Sequence, residues 1–272
     1  MTDFQSQFNN VNTVSINGKQ IRFVDVAPQI LKSTTPIFIA PGWGETPRTF
    51  KSLMRLLYEN GFRVISVYHP RHDLKLITRS NISRVESQKA EIIIDILNKQ
   101  QIEKVDMVAH SEGTVNSVIA AYLKPSLFRQ LILVGPGGLV EKQSFPGLIG
   151  RFLINMFQDG GISMLWNKNE FIDFFQSTMD VLKYFLSNPM LGLLEGSAIS
   201  HSHIQESLVR LHEINIPITI VCGTKDIVFP RNKMNSLSTF SWLDVRDMPG
   251  SHDDIFISPQ RYIGLIQDKT MV

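Results

Sequence analysis

The chain predicts a mostly parallel, doubly wound α/β sheet that opens with an antiparallel hairpin and carries a late helical insertion. Three observations predict it. Short apolar runs alternate with amphipathic stretches between residues 37 and 134. A period-two run broken by Asn17-Gly18 precedes them. From Glu141 to Ser207 the alternation stops, and it resumes at Ile218.

Each element has its own signal. Val14 and Ile16 alternate with polar residues, Asn17-Gly18 suits a tight turn, and Ile21 and Phe23 resume the alternation. Ile37-Phe38-Ile39-Ala40 is continuously apolar, as a strand buried on both faces requires. It ends in Pro41-Gly42-Trp43-Gly44. Phe50, Leu53, Leu56 and Leu57 share a helical face that stops at Asn60-Gly61. Arg63–Tyr68 reads as a strand, Val85–Leu97 as a helix and Val105–Ala109 as a strand. Val115, Val118, Ile119, Tyr122 and Leu123 fall at helical spacing, and Leu131–Val134 is another buried strand. The rhythm implies βαβ units with helices on both faces. Residues 141–207 read as an insertion of helices, rich in Phe152, Phe157, Leu165, Trp166, Phe171 and Met179. Strands return at Ile218–Cys222 and from Leu243, and a helix around Tyr262–Gln267 closes the chain. Residues 1–140 and 208–272 therefore form one core, and 141–207 an inserted cap.

Composition narrows the function classes. A formal net charge of +2 on 272 residues carries no concentrated basic stripe, so nucleic acid is not an expected partner. The single cysteine, Cys222, excludes an internal disulfide framework and fits a reducing compartment. The start, Met1-Thr2-Asp3-Phe4, has no signal-peptide pattern. The most apolar stretch, Phe145–Leu194, is broken by Arg151, Asp159, Lys168 and Asp173, so membrane insertion is not expected. The expectation is a cytoplasmic protein acting on a small molecule. The residues fix no oligomeric state.

Ligands of doubly wound sheets bind at the carboxyl ends of the strands, so the turns there are searched first. The turn after Val105–Ala109 reads Ala109-His110-Ser111-Glu112-Gly113. A serine on a sharp strand-to-helix turn needs small neighbours two residues either side, and Ala109 and Gly113 supply them. Taken alone, Ser111 could simply cap the following helix. A serine nucleophile also needs a base, and the base an orienting acid. Gly223-Thr224-Lys225-Asp226 and Pro249-Gly250-Ser251-His252 follow the two late strands, in the order Ser, Asp, His. Asp226 alone could cap a short helix near Pro230, and His252 alone could be a loop histidine. Their coincidence in order and place carries the argument.

These three turns look like the nucleophile elbow, acid loop and histidine loop of the α/β-hydrolase superfamily. The resemblance runs from the first hairpin to the last helix. It implies the α/β-hydrolase fold with a helical cap, and Ser111 as nucleophile, His252 as base and Asp226 as its orienting acid. The backbone amides of Trp43 and Glu112 would form the oxyanion hole. Trp43 and His110 would contact substrate. Pro41 stands where many relatives have histidine, and Ala109 where many have glycine. The carboxylate of Glu112, at a helix start, is expected to pair with the helix dipole and point away from the site.

The implied activity is hydrolysis of an ester-like small molecule with an apolar moiety, a carboxylester, thioester or lactone, with no cofactor and no metal. Rival readings share the residues: a lyase or carbon–carbon bond hydrolase, a cofactor-free oxygenase, or a non-enzymatic small-molecule receptor. His69, His72 and Asp73 form no closed ligand set and read as a solvated or substrate-touching loop. His201 and His203 lie two apart, off a shared helical face, and read as structural or as incidental pocket residues.

Overall fold

The computed structural model describes residues 3–70, 82–140, 143–166 and 168–271. A short helix that the sequence reading lacks comes first: α1 (Asp3–Asn9), which buries Phe4 and Phe8 one turn apart. The hairpin follows as β1 (Asn12–Ile16) and β2 (Lys19–Val26), with Ile16 opposite Lys19. Asn17 and Gly18 take φ of 50° and 77°, the left-handed pair whose twist matches that of the flanking strands.

The chain then alternates as expected: β3 (Ile37–Ala40), α2 (Lys51–Glu59), β4 (Val64–Tyr68), α3 (Ile82–Lys99), β5 (Val105–His110), α4 (Glu112–Leu123) and β6 (Phe128–Val134). After the insertion come β7 (Ile218–Gly223) and β8 (Asp244–Met248). The sheet has eight strands in the order β1-β2-β4-β3-β5-β6-β7-β8. From β4 to β8 all pairings are parallel, and the hairpin joins antiparallel through β2.

The continuous apolar strands divide their side chains between two cores. Ile37 and Ile39 enter one cluster, Phe38 and Ala40 the other. Leu131 and Leu133 oppose Ile132 and Val134 in the same way. One core packs under α3, α4 and α8 (Gln205–Glu213). The other packs under α1, α2, α9 (Asp254–Ile257) and α10 (Gln260–Thr270). Burial on both faces is why these strands read as runs rather than alternations.

Between β6 and α8 lie α5 (Phe145–Trp166), α6 (Lys168–Ser187) and α7 (Pro189–His201). The expected boundary at 207/208 falls inside α8, whose Leu208 and Leu211 are fully buried in the sheet core. Helices α5–α7 pack on the turns at the carboxyl ends of the strands. Phe152 and Phe185 lie against Trp43, at ring separations of 5.4 Å and 4.7 Å. Phe157, one of the apolar residues of the insertion, is 81 % exposed. His72 and Asp73, and the side chains of Leu165, Trp166 and Phe171, lie outside the described residues. No helix among the described residues is long and apolar enough to cross a membrane.

The strand order reverses at β3. The chain leaves it for β4 on one side and returns to β5 on the other. Such a switch point opens a crevice at the carboxyl ends of its strands. The turns after β3 and β5 meet there, with Ala40 paired to Ala109.

Candidate active site

Ser111 sits between β5 and α4 at φ 54° and ψ −121°. A left-handed conformation is costly for a residue with a Cβ, on the order of 1–3 kcal/mol, and persists only where its surroundings impose it. Here they do. The Ser111 amide donates to the Val134 carbonyl at 3.0 Å, and its carbonyl accepts from Thr114 Oγ1 at 2.7 Å. Gly113 is required by close approach, since a Cβ there would lie 2.4 Å from the Ala40 carbonyl oxygen. Strand, turn and helix thus lock the serine with its side chain raised at the strand end.

The two late loops bring their residues to it. His252 Nε2 lies 3.0 Å from Ser111 Oγ. His252 Nδ1 lies 2.8 Å from Asp226 Oδ2. Asp226 Oδ1 accepts the Val228 and Phe229 amides, each at 2.8 Å. The carboxylate therefore does two jobs, closing its own turn with one oxygen and holding the imidazole with the other. Gly135, at φ 52°, makes room, because a Cβ there would meet His252 Nδ1 at 2.9 Å.

The electrostatics follow from burial and pairing. Burial alone would raise Asp226, but the charge and hydrogen bond of His252 bring it below the usual carboxylate range. Burial alone would lower His252, but Asp226 more than offsets it and raises the imidazole to about 9. Behind the histidine, burial raises Asp253 to about 7, and Asn155 Nδ2 bridges Asp253 and Asp159 at 2.9 Å each.

The turn after β3 is built by a residue that the sequence reading did not single out. Glu45 Oε2 accepts the Gly42 amide at 2.5 Å, while the Glu45 amide donates to the Gly42 carbonyl at 3.1 Å. The glutamate reaches back over three residues to close the turn, a contact that no sequence motif announced. The other oxygen, Oε1, lies 2.8 Å from His110 Nδ1. His110 Nε2 donates to the His252 carbonyl at 3.0 Å. His110, expected against substrate, is 1 % exposed, with both ring nitrogens engaged inside the protein. It ties the turn after β3 to the histidine loop. Trp43 stands between Gly42 and Gly44, with its ring 6 % exposed under α5–α7. A Cβ on Gly42 would lie 2.8 Å from Ser111 Cβ, so this turn lies directly against the serine.

Glu112 heads α4, and its amide has no acceptor within the helix. Its side chain does more than pair with a dipole. It is fully buried, with Oε1 2.5 Å from Lys89 Nζ. Lys89 also pairs with Glu195 Oε1 at 2.7 Å, and Tyr184 donates to Glu195 Oε2. Burial alone would lower Lys89, but the charges of Glu112 and Glu195 more than offset it and hold it charged. Burial, and then the charge of Glu112, push Glu86 well above the carboxylate range and keep it neutral. The sequence reading missed this cluster, because its members come from α3, α4, α6 and α7.

The remaining candidates are structural. His110, His252 and Asp253 offer ligand atoms within 4.8 Å of one another. The imidazole nitrogens are already committed to Glu45, the His252 carbonyl, Asp226 and Ser111. His201 bonds the Ser197 carbonyl at 2.8 Å within its own helix. Burial pushes the thiol of Cys222 up to about 12.

Comparison with known proteins places these features in a family. No curated protein sequence matches the chain. Solved structures do. An esterase from Exiguobacterium antarcticum aligns at TM-score 0.71 and 13% identity, over 96% of this chain and 99% of that one. A carboxylesterase structure from the thaumarchaeon Nitrososphaera gargenis aligns at 0.67 and 13%, over 95% and 97%. An esterase from Thermogutta terrifontis aligns at 0.65 and 15%, over 96% and 97%. At these identities the likeness is one of fold. The family model described as alpha/beta hydrolase fold matches residues 35–259, and the chain belongs to that family.

Proposed function

We propose that the protein is a serine hydrolase that cleaves a carboxylester, thioester or lactone of a small molecule. Ser111 Oγ attacks the carbonyl carbon and passes its proton to His252 Nε2. Asp226 fixes the imidazole tautomer and stabilises the imidazolium. The amides of Trp43 and Glu112 hold the oxyanion, with the positive end of α4 behind it. The imidazolium returns the proton to the leaving alcohol or thiol. Water then attacks the acyl-serine through the same base. Helices α5–α7, within residues 141–207, act as a cap that contributes Phe152 and Phe185 beside Trp43.

One observation carries the reading. A serine in a left-handed turn lies 3.0 Å from an imidazole whose far nitrogen lies 2.8 Å from a buried carboxylate. A purely structural serine has no use for that strain and that chain of bonds together.

The test is turnover of short-acyl esters, with rapid-quench intact mass during the first turnover. The expected result is hydrolysis through an acyl adduct on Ser111, both lost in Ser111→Ala. Ester turnover that survives in Ser111→Ala would refute the assignment.

A further inference from the structure

Ser111 and His252 are held in different ways. Ser111 follows β5, a strand buried along its whole length with a neighbour on either side. His252 follows β8, the last strand of the sheet, whose residues are half-buried or exposed. The sheet core therefore does not fix the histidine loop, and side-chain bonds from other elements must. His110 Nε2 supplies one, to the His252 carbonyl at 3.0 Å. Others come from helix α5. Asn155 Nδ2 donates to Asp253 Oδ2 at 2.9 Å, and Asp159 Oδ2 accepts from Ser251 Oγ at 2.8 Å. The residues on either side of the base are thus both bonded to one helix.

That helix turns polar residues inward. Leu153, Ile154 and Phe157 are exposed, while Asn155 and Asp159 are buried. A helix shaped by apolar burial alone would show the reverse. Arg151, Asn155 and Asp159 stand four residues apart and share a face. Their partners lie on the loops of the site. Arg151 Nε donates to the Val228 carbonyl at 3.1 Å, on the loop whose Val228 amide Asp226 accepts. Phe152, beside that row, lies against Trp43. Within the row, Asn155 Nδ2 also donates to Asp159 Oδ2 at 2.9 Å, so one amide group serves both carboxyls with its two N–H bonds. Burial raises Asp159, and the Ser251 and Asn155 donors bring it partly back.

We infer that Asn155 and Asp159 are positioning residues for His252: from helix α5 they fix Asp253 and Ser251, and with them the line from the imidazole to Ser111 Oγ. The inference rests on Ser111 and His252 as nucleophile and base, and it deepens that reading by tying the base to helix α5. The imidazole spans 3.0 Å to the serine and 2.8 Å to Asp226, so a small shift of its loop spoils both ends at once. Residues that merely docked the helix would affect stability and leave that alignment intact.

The test reads the imidazole with and without chemistry. The first readout is the low-field proton resonance of His252 Nδ1–H, assigned by its loss in His252→Ala, which reports the bond to Asp226. The second is inactivation by a fluorophosphonate, resolved into its maximal rate and its half-saturating concentration. Asn155→Leu and Asp159→Leu are expected to lower the maximal rate roughly 10²-fold, to leave half-saturation within about two-fold, and to shift or broaden the resonance. Asp159→Asn keeps an oxygen for Ser251 and Asn155 and recovers most of the rate. Ser251→Ala, with the helix untouched, lowers the rate about ten-fold and decides the matter should the leucine variants fail to fold. A rate or a resonance that stays at the wild-type value in folded variants, or no rescue by Asp159→Asn, overturns the inference. So does a loss confined to half-saturation, which would make α5 a wall of the substrate pocket. Wild-type protein that takes no label removes the hydrolase reading and leaves the resonance to decide; variants labelled as fast as wild type keep that reading and remove the inference.

Discussion

Two groups of ionisable side chains flank Ser111, and they are built differently. Toward β7 and β8 the bonds form a closed chain, from Ser111 through His252 to Asp226 and the Val228 and Phe229 amides. Each of those polar atoms has a defined partner. Toward α3 and α7 the chain is open. Lys89 is shared between Glu112 and Glu195, Glu86 is held neutral, and His69 has neither nitrogen engaged among the described residues. Low dielectric strengthens a fully satisfied network and makes an unsatisfied one costly. The closed chain is suited to moving a proton along a fixed line. Glu112 adjoins both, next to Ser111 in the chain and paired with Lys89 through its carboxylate.

Substitutions break the two sides in different ways, and the largest effects fall on the closed chain. Ser111→Ala removes the nucleophile, and kcat for an ester substrate falls roughly 10⁶-fold in steady-state assays. Asp226→Asn leaves the shape and loses the tautomer control, a fall of roughly 10⁴-fold. The same variant alters the pH profile. His252 accepts a proton only when neutral, so wild-type kcat/KM rises with pH through a midpoint near 9. Without the Asp226 charge, burial is opposed only by the weaker effects of Asp253 and Glu45, and the midpoint moves down toward acid. A midpoint that stays put would mean that Asp226 does not set the imidazole.

The open cluster answers in stability before it answers in rate. Lys89→Met leaves Glu112 and Glu195 buried without their cation. Denaturant unfolding should show a loss of about 3–5 kcal/mol. A loss under 1 kcal/mol would mean that water already reaches these carboxylates.

Glu45 joins the two regions, and its effect is the smallest. Glu45→Ala frees the Gly42 amide and His110 together. Misplacement of the turn by about 1 Å costs about 10²-fold in kcat, with KM little changed. Glu45→Gln keeps an acceptor for Gly42 and recovers part of the loss. A fall in KM-limited binding alone, with kcat intact, would place Glu45 in the pocket wall only.

Legibility in the sequence divides along the same line. Parallel strands buried on both faces write themselves as apolar runs, so the sheet could be read directly from Ile37–Ala40 to Ile218–Cys222. Ser111 and Asp226 could be read because each stands in the turn after such a strand; His252 follows the polar, partly exposed strand β8, and chain order placed it. The hairpin was legible because Asn17-Gly18 permits few alternatives. Helix α1 was not, since Phe4 and Phe8 in seven residues make too short a pattern. The Lys89–Glu112–Glu195 cluster was not legible either. Its members lie on separate helices, and a charged residue on a helix reads as solvent-facing until packing shows otherwise. His110 sits next to the serine in sequence, and proximity suggested substrate contact. The structure turns its ring toward Glu45 and the His252 carbonyl instead.

The most direct test of the central claim is whether Ser111 is chemically activated. Purified protein is treated with a fluorophosphonate and analysed by intact mass and peptide mapping, beside Ser111→Ala and His252→Ala. The account predicts one adduct per chain, located on Ser111, absent from the first variant and far slower to form in the second. Folded wild-type protein that stays unlabelled with probes of several chain lengths, or an adduct that forms equally fast without His252, would contradict it.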